Sequence, residues 1–319
     1  MTRDTIVIVS TANRPGFLAT NLASIARQTA ADRIAEVRVM ENGGDRRSEA
    51  VCRDFAGKLP INYIYRDPPL TVIDHAKVII QAEFAAPYIA ILHDDDWWAP
   101  EHLGASLRAL EENQAAACYS AHFYMSGEAA PTQWHDSLMF WTASHYQPLT
   151  QDWVMDMTGA LVANLGGTPG HYSTVVAKSE AFRGCADTLY QENPFDTDRM
   201  LCVWLTRFGR IVYRPVPTAF IRVHPSQDNL SYTDAKRNEH HMRTTLWMFK
   251  VAKENGIDLI DEFRRRLEAC PEPHRYLVFI QYTKPFLIAA LGKHPRCPKI
   301  LMDFWLQLQN RNRGEARAA

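Results

Sequence analysis

The sequence predicts an α/β fold, a mostly parallel sheet with helices on both faces, and three observations carry that expectation. Short β-branched runs alternate with stretches whose apolar residues recur at helical spacing. The runs end in polar tips rich in turn formers. At 319 residues and 46% hydrophobic content the chain can bury a large core. "TIVIVST" is the first strand, and "NRPGFLATNLASIARQT" is a helix with Phe17, Leu18, Leu22 and Ile25 at helical spacing. "EVRVM" is the second strand and runs into "ENGGD". There follow a helix "RSEAVCRDFAGK", a strand "INYIY", a helix "IDHAKVIIQAEFA" and a strand "YIAIL". Such βα alternation implies parallel pairing.

Beyond Pro100 the pattern loosens. "EHLGASLRALEENQ" predicts a helix, and an aromatic, turn-rich region follows. "STVVAKSEAFRG" reads as a strand and a helix start, and "DTDRMLCVWLTRFG" as a helix closed by Gly209. "RIVYRP" and "AFIRVHPSQDNLS" read as two further strands, the second running into a loop. From about Tyr232 the chain is helical in patches, and it ends in a polar tail, "NRNRGEARAA", expected to fray. The expected organisation is a ligand-binding half over residues 1–100, a second half over 101–230 and a helical subdomain over 231–319.

With 22% charged residues and a formal net charge of -1, the composition excludes disorder and a basic nucleic-acid footprint. The six cysteines are scattered without a CxxC, which indicates neither a zinc site nor a disulfide framework. Reduced cysteines and an N-terminus that reaches charge and turn residues early point to a cytoplasmic protein without a signal peptide. The apolar stretch "YLVFIQYTKPFLIAAL" from Tyr276 is interrupted by Gln281, Lys284 and Pro285 and is shorter than the roughly 20 residues of a spanning helix. It reads as a buried helix, with an interfacial helix in peripheral contact with a membrane as the other reading.

In open α/β sheets ligands sit beyond the carboxyl ends of the strands. Four tips converge there: "STANR", "ENGGD", "RDPP" and "HDDD". The last places Asp94, Asp95 and Asp96 behind an apolar strand. An oxygen-only cluster suits Mg2+ or Mn2+, which keep open positions for phosphates. A solvated loop is the competing reading, and the position at a buried strand end favours ligation. Trp97 and Trp98 follow directly, and Trp134, Trp141, Tyr146, His171 and Tyr172 come later. Aromatic faces stack on sugars and also fill cores.

The run "AKVIIQAEFAAPYIAILHDDDWWAP" resembles family 2 glycosyltransferases of the GT-A fold. Their pattern is an Ala-Arg-Asn helix start, an amphipathic helix, a Tyr-Ile strand, then Leu-Asp-x-Asp-Asp and a proline. The resemblance covers about residues 4–230 and is strongest from Ala76 to Pro100; the C-terminal helical subdomain beyond it is read from the amphipathic pattern alone. The resemblance implies an inverting sugar transfer from a nucleoside-diphosphate sugar to a hydroxyl of a saccharide or lipid-linked acceptor, with Mn2+ or Mg2+. Lys77 falls on the arginine near the diphosphate and Asp95 on the metal aspartate, followed by Asp96. His93 replaces the first acid, which leaves Asp94 and Asp96 as the alternative ligand pair, ranked after Asp95.

Thr11, Asn13 and Arg14 fall on the nucleotide edge, and Glu41 and Asn42 on the acidic pair that contacts base and ribose. A carboxylate there can accept the imide N–H of uracil or thymine, which favours UDP or dTDP. Asp198 falls on the general base, with Asp196 as second candidate because Thr197 replaces the preceding Glu. N-capping is the plain reading of both acids. His224 in "RVHPSQ" falls on a histidine near the metal or diphosphate. Trp97, Trp98, His171 and Tyr172 are the acceptor candidates. Assembly of a surface polysaccharide such as lipopolysaccharide is the setting implied by analogy.

Two other enzyme classes fit less well. A sugar nucleotidylyltransferase needs a Gly-rich first loop, where "TANRPG" offers one late glycine. A phosphatase of the Asp-x-Asp kind needs a nucleophilic aspartate where Ser10 and Thr11 stand. A degenerate member that binds carbohydrate or a protein without turnover is the non-enzymatic reading.

Overall fold

The computed structural model describes residues 2–81, 83–126, 133–135, 151–166, 170–182, 184–193, 196–224 and 233–269. The predicted helix from Tyr276, the polar tail, Trp141, Tyr146, Cys270, Cys297 and the side chain of Trp134 lie outside this set.

The first half follows the predicted alternation: β1 (Thr5–Thr11), α1 (Pro15–Ala26), β2 (Ile34–Asn42), α2 (Arg47–Phe55), β3 (Ile61–Arg66), α3 (Val72–Gln81), β4 (Tyr88–His93) and the two-residue β5 (Trp97–Trp98). After these come α4 (His102–Glu112), β6 (Ala117–Ser126), β7 (Gln133–His135), β8 (Trp153–Met155), α5 (Met157–Gly166), β9 (Val176–Lys178), α6 (Cys185–Glu192), α7 (Thr197–Leu205), β10 (Ile211–Val223), α8 (Asp234–Glu254) and α9 (Leu259–Ala269). A 3₁₀ turn at Tyr172–Thr174 precedes β9.

The strands form one sheet in the order β3-β2-β1-β4-β9-β6-β10-β5, with β7 on β6 and β8 on β10. Pairing is parallel from β3 to β4, as the βα units require. Beyond β4 the sheet is mixed: β9 runs antiparallel between β4 and β6, and β5 and β8 run antiparallel to β10. The antiparallel pairs thus fall in the second half, where the βα alternation of the sequence loosens. Three-residue β9 is fed by a turn rather than a crossover helix, which frees it from the parallel rule. The two strands predicted around "RPVPTAF" are one, β10, whose register shifts between Arg214 and Ala219. Pro215 and Pro217 lie inside that gap and cannot donate to the ladder.

Successive β1 side chains alternate between two cores. Ile6 and Ile8 join α3, α5, α6, α7, α8 and α9, whereas Val7 and Val9 join α1, α2 and α4. The four described cysteines, Cys52, Cys118, Cys185 and Cys202, are buried and unbridged. No described helix is long and apolar enough to cross a membrane.

Gly170, just before His171 and Tyr172, packs against the buried ring of Tyr119, where a Cβ would overlap the ring carbons. Gly170→Ala is expected to cost about 1–3 kcal/mol as overpacking. Denaturant unfolding measures this, and an unchanged midpoint would show that the contact yields freely.

Candidate functional site

Ser10 and His93 are partners in the β1–β4 ladder, so the tips of these strands lie side by side. They open on a cavity of about 500 Å³, floored by the sheet and walled by α3, α6, α7 and the 171–172 segment. The turn after β4 is pinned from several elements. Asn21 on α1 donates its Nδ2 to the carbonyls of His93 (2.7 Å) and Asp96 (3.0 Å). Ser173 Oγ donates to Asp96 Oδ2 (2.5 Å) and accepts from His93 N (3.1 Å). From β10, Arg222 N donates to Asp96 Oδ1 (2.9 Å) and Arg222 Nε to Asp95 O (3.0 Å). Thr11 Oγ1 donates to Asp94 Oδ2 (2.7 Å), and Arg14 Nη1 lies 3.4 Å from both Asp94 Oδ1 and Asp95 Oδ2. His224 Nε2 meets Asp95 Oδ2 at 2.9 Å.

These surroundings separate the three acids. Burial, and then the negative charge of Asp95, raise Asp94 to about 6. The same two causes push Asp96 well above the usual carboxylate range. Burial raises Asp95 too, yet His93, the His224 hydrogen bond and Arg14 together hold it below that range. Asp95 is therefore the most readily ionised of the three.

Two ligands of one octahedral Mg2+ or Mn2+ at about 2.1 Å sit about 3 Å apart in the cis arrangement. The 2.9 Å between Asp95 and His224 matches that spacing. The donor set therefore fits a divalent cation. His93, Asp96 and His171 also bring one donor atom each within 4.8 Å of one another. Both Asp96 oxygens are engaged by Ser173 and Arg222, and His171 Nδ1 accepts from Ser173 N at 3.2 Å, so that trio is knit as a hydrogen-bonded network. Of the expected ligands Asp95, Asp96 and His224, the structure brings Asp95 and His224 into contact and ties Asp96 to Ser173 and Arg222.

At the other end of the cavity Asn42 is held by Leu70, accepting its N–H (2.8 Å) and donating to its carbonyl (2.9 Å). Glu41 is fully buried, accepts from Ser48 Oγ (2.7 Å) and from Tyr63 OH, and does not line the cavity. Asn13, in the left-handed region at φ 55°, accepts from exposed Arg47 and does not line the cavity either. On α3, Val72, Ile73, His75, Ala76, Ile79 and Ile80 face the cavity. Lys77 falls outside that arc and pairs with Asp74 at 3.6 Å. A 100° step per residue separates the two faces, so the helical wheel alone could have found this. His75, which the sequence reading passed over, contacts Ser10 Oγ through Nε2 (3.1 Å), and burial lowers its pKa. A lone histidine on an amphipathic helix gives no signal for such a role.

Asp198 and Thr197 at the start of α7, Tyr190 of α6, His171 and Tyr172 line the far end. Burial, followed by repulsion from Asp196, raises Asp198 to about 7. Asp196 lies outside the cavity lining, on Arg199 Nη1 (3.0 Å) and beside His241 Nδ1 (3.6 Å). Against its burial, His241 and Arg199 hold it below the usual range. It makes no N-cap hydrogen bond. Neither Trp97 nor Trp98 lines the cavity: Trp98 is 2% exposed, stacks on His102 at 4.5 Å and donates Nε1 to Ser173 O at 2.6 Å. Trp97 stacks on Phe220 at 5.6 Å.

Residues 6–163 match the family model described as Glycosyl transferase family 2. No curated protein matches the sequence. Among solved structures, S. aureus TarS 1–349 is similar with a TM-score of 0.53 at 13% identity, over 91% of each chain. The same fragment in complex with UDP-GlcNAc gives 0.53 at 12%, over 91% of this chain and 92% of that one. The mannosyltransferase PcManGT from Pyrobaculum calidifontis, in complex with GDP-Man and Mn2+, gives 0.51 at 14%, over 95% of this chain and 84% of that one. The mixed sheet flanked by helices is thus the GT-A fold, and the chain belongs to glycosyl transferase family 2.

Proposed function

We propose that the protein transfers a sugar, with inversion, from a nucleoside-diphosphate donor to a hydroxyl of a saccharide or lipid-linked acceptor. One observation carries this: a single cavity joins the strand tips of Thr11 and Asn42, the carboxylates after β4 and the acid Asp198. Donor and acceptor ends then lie on either side of the charged turn. Structures similar in fold hold UDP-GlcNAc or GDP-Man, the latter with Mn2+.

Asp95 and His224 would hold the divalent cation, Mn2+ or Mg2+. When bound it supplies charge neutralisation for the departing diphosphate, worth several kcal/mol in such sites. Arg14, the one Lys or Arg among the described residues lining the cavity, sits on Asp94 and Asp95 at lengths near the hydrogen-bond limit. Its guanidinium is placed to pair with phosphate oxygens. Asp198 takes the proton of the acceptor hydroxyl as it attacks the anomeric carbon in line. His171 and Tyr172 wall the acceptor side. The preference for UDP or dTDP rested on a carboxylate at position 41 reaching the base. With Glu41 turned to Ser48 and Tyr63, a binding series over UDP, dTDP, GDP and CMP names the base. Assembly of a surface polysaccharide is the proposed setting.

Asp95→Ala should lose Mn2+-dependent nucleotide binding. In thermal unfolding, nucleotide at ~100 times its Kd stabilises the wild type by roughly 2.7 kcal/mol, and a mutant with an undiminished Mn2+-dependent shift would strip Asp95 of its role.

Asp198→Asn should lower kcat by about 10²- to 10⁴-fold with nucleotide binding retained. A base near 7 must be ionised, so kcat/KM of the wild type should rise as pH rises towards 7 and then level off. The folded pKa lies above the unfolded one, so ionising Asp198 destabilises the fold above the unfolded value of about 3.9. Asp198→Asn should therefore raise Tm at pH 8, and a lowered Tm there would contradict the burial argument.

Lys77→Ala should leave donor affinity and kcat within about 2-fold of wild type, because its surface pairing with Asp74 is worth at most about 1 kcal/mol. A loss of 10-fold or more in donor affinity would return Lys77 to the diphosphate.

A further inference from the structure

Arg222 is a charged side chain only 3% exposed, and none of the roles above uses its guanidinium plane. That plane lies 4.6 Å from the ring centre of Phe17 on α1 and 4.9 Å from that of Trp97 on β5. The rings are themselves backed. Trp97 stacks on Phe220 with 12° between planes, and Phe220 stacks on Phe123 at 5.5 Å with 20° between planes. Phe17 also meets the ring of His224 at 5.4 Å. From within this stack Arg222 donates Nε to the carbonyl of Asp95 and its own N–H to the carboxylate of Asp96.

The spacing of "RVH" matters. Positions 222 and 224 are two residues apart in extended chain and share a face. One grips the backbone of Asp95 and the other its carboxylate. Phe17 touches both.

We propose that Arg222 is the positioning residue of the cation site: packed against the rings of Phe17 and Trp97, it fixes the Asp95 backbone so that the carboxylate stays on His224. The inference rests on the assignment of Asp95 and His224 to a divalent cation. A site held this way is formed before ligand arrives, and no ordering cost remains to be met on binding. The planar guanidinium is essential to the role. A lysine keeps the charge but cannot stack on two aromatic faces while directing one N–H at a carbonyl.

The test is a Mn2+ titration of the full chain followed by electron paramagnetic resonance, with Mn2+ alone and with UDP present, alongside thermal unfolding. The variants are Arg222→Lys, Phe17→Leu and Asp95→Ala. Groups behind a metal ligand typically govern affinity by 10- to 100-fold. Arg222→Lys and Phe17→Leu should weaken Mn2+ binding by that factor, with UDP binding in the absence of metal unchanged. A merely structural role would lower Tm and leave the Mn2+ affinity of the folded protein intact. Should Arg222→Lys not fold, Phe17→Leu, which removes one of the two rings and no hydrogen bond, decides alone. Wild-type Mn2+ affinity in the folded variants, with binding lost in Asp95→Ala, overturns the positioning role only. Wild-type affinity in Asp95→Ala overturns the cation assignment beneath it.

Discussion

Three adjacent carboxylates at the end of a buried strand cannot all carry charge cheaply, because each loses water and each repels the others. The arrangement around β4 answers that constraint. Asp96 is tied into the protein by Ser173 and Arg222, Asp94 by Thr11, and Asp95, beside His224 and Arg14, is left the most acidic of the three. The partners come from the end of β1 and the residues leading into α1, the 171–174 turn and the end of β10. Helix, sheet edge and turn thus meet at one place because the charges require them there.

The same logic separates the acids at the start of α7. Asp196 and Asp198 are two residues apart, yet one is held low by Arg199 and His241 and the other is raised by burial and by Asp196 itself. Titratable neighbours driven apart in this way divide into a structural anion and a weaker acid, the contrast on which the proposed general base draws. The structural anion also ties α7 to α8, since His241 lies on α8. Position in the fold, and not residue type, assigns the two roles.

Helix α3 shows how amphipathicity selects among plausible ligands. Its cavity face carries Val72, Ile73, His75, Ala76, Ile79 and Ile80, and its outer face carries Asp74 and Lys77. A cation inherited by sequence register therefore lies on the outer face, and among the described residues Arg14 is the cation lining the cavity. Glu41 undergoes a comparable reassignment. Its place at the end of β2 suggests a base contact, but alternation along the strand turns it inward, onto Ser48 of α2 and Tyr63 of β3.

The sequence by itself determined the βα alternation, the parallel order of the first four main strands and the strand-end position of the aspartates. Each of these is a local property, written in a period of 2 or 3.6 residues and in turn chemistry. It also indicated that Asp95, His224 and Asp198 belong to one site, because register in a run of motifs survives without coordinates. Only the tertiary structure decided that the sheet turns mixed beyond β4 and that β10 is continuous through its prolines. It also decided that Trp97 and Trp98 lie outside the cavity lining, and which acid of each group is the most readily ionised. Most of those outcomes depend on contacts far apart in the chain, such as Ser173 with Asp96, 77 positions apart, and Arg222 with Asp95, 127 apart. Burial and partner charge at that separation are set by packing and have no signature in local sequence.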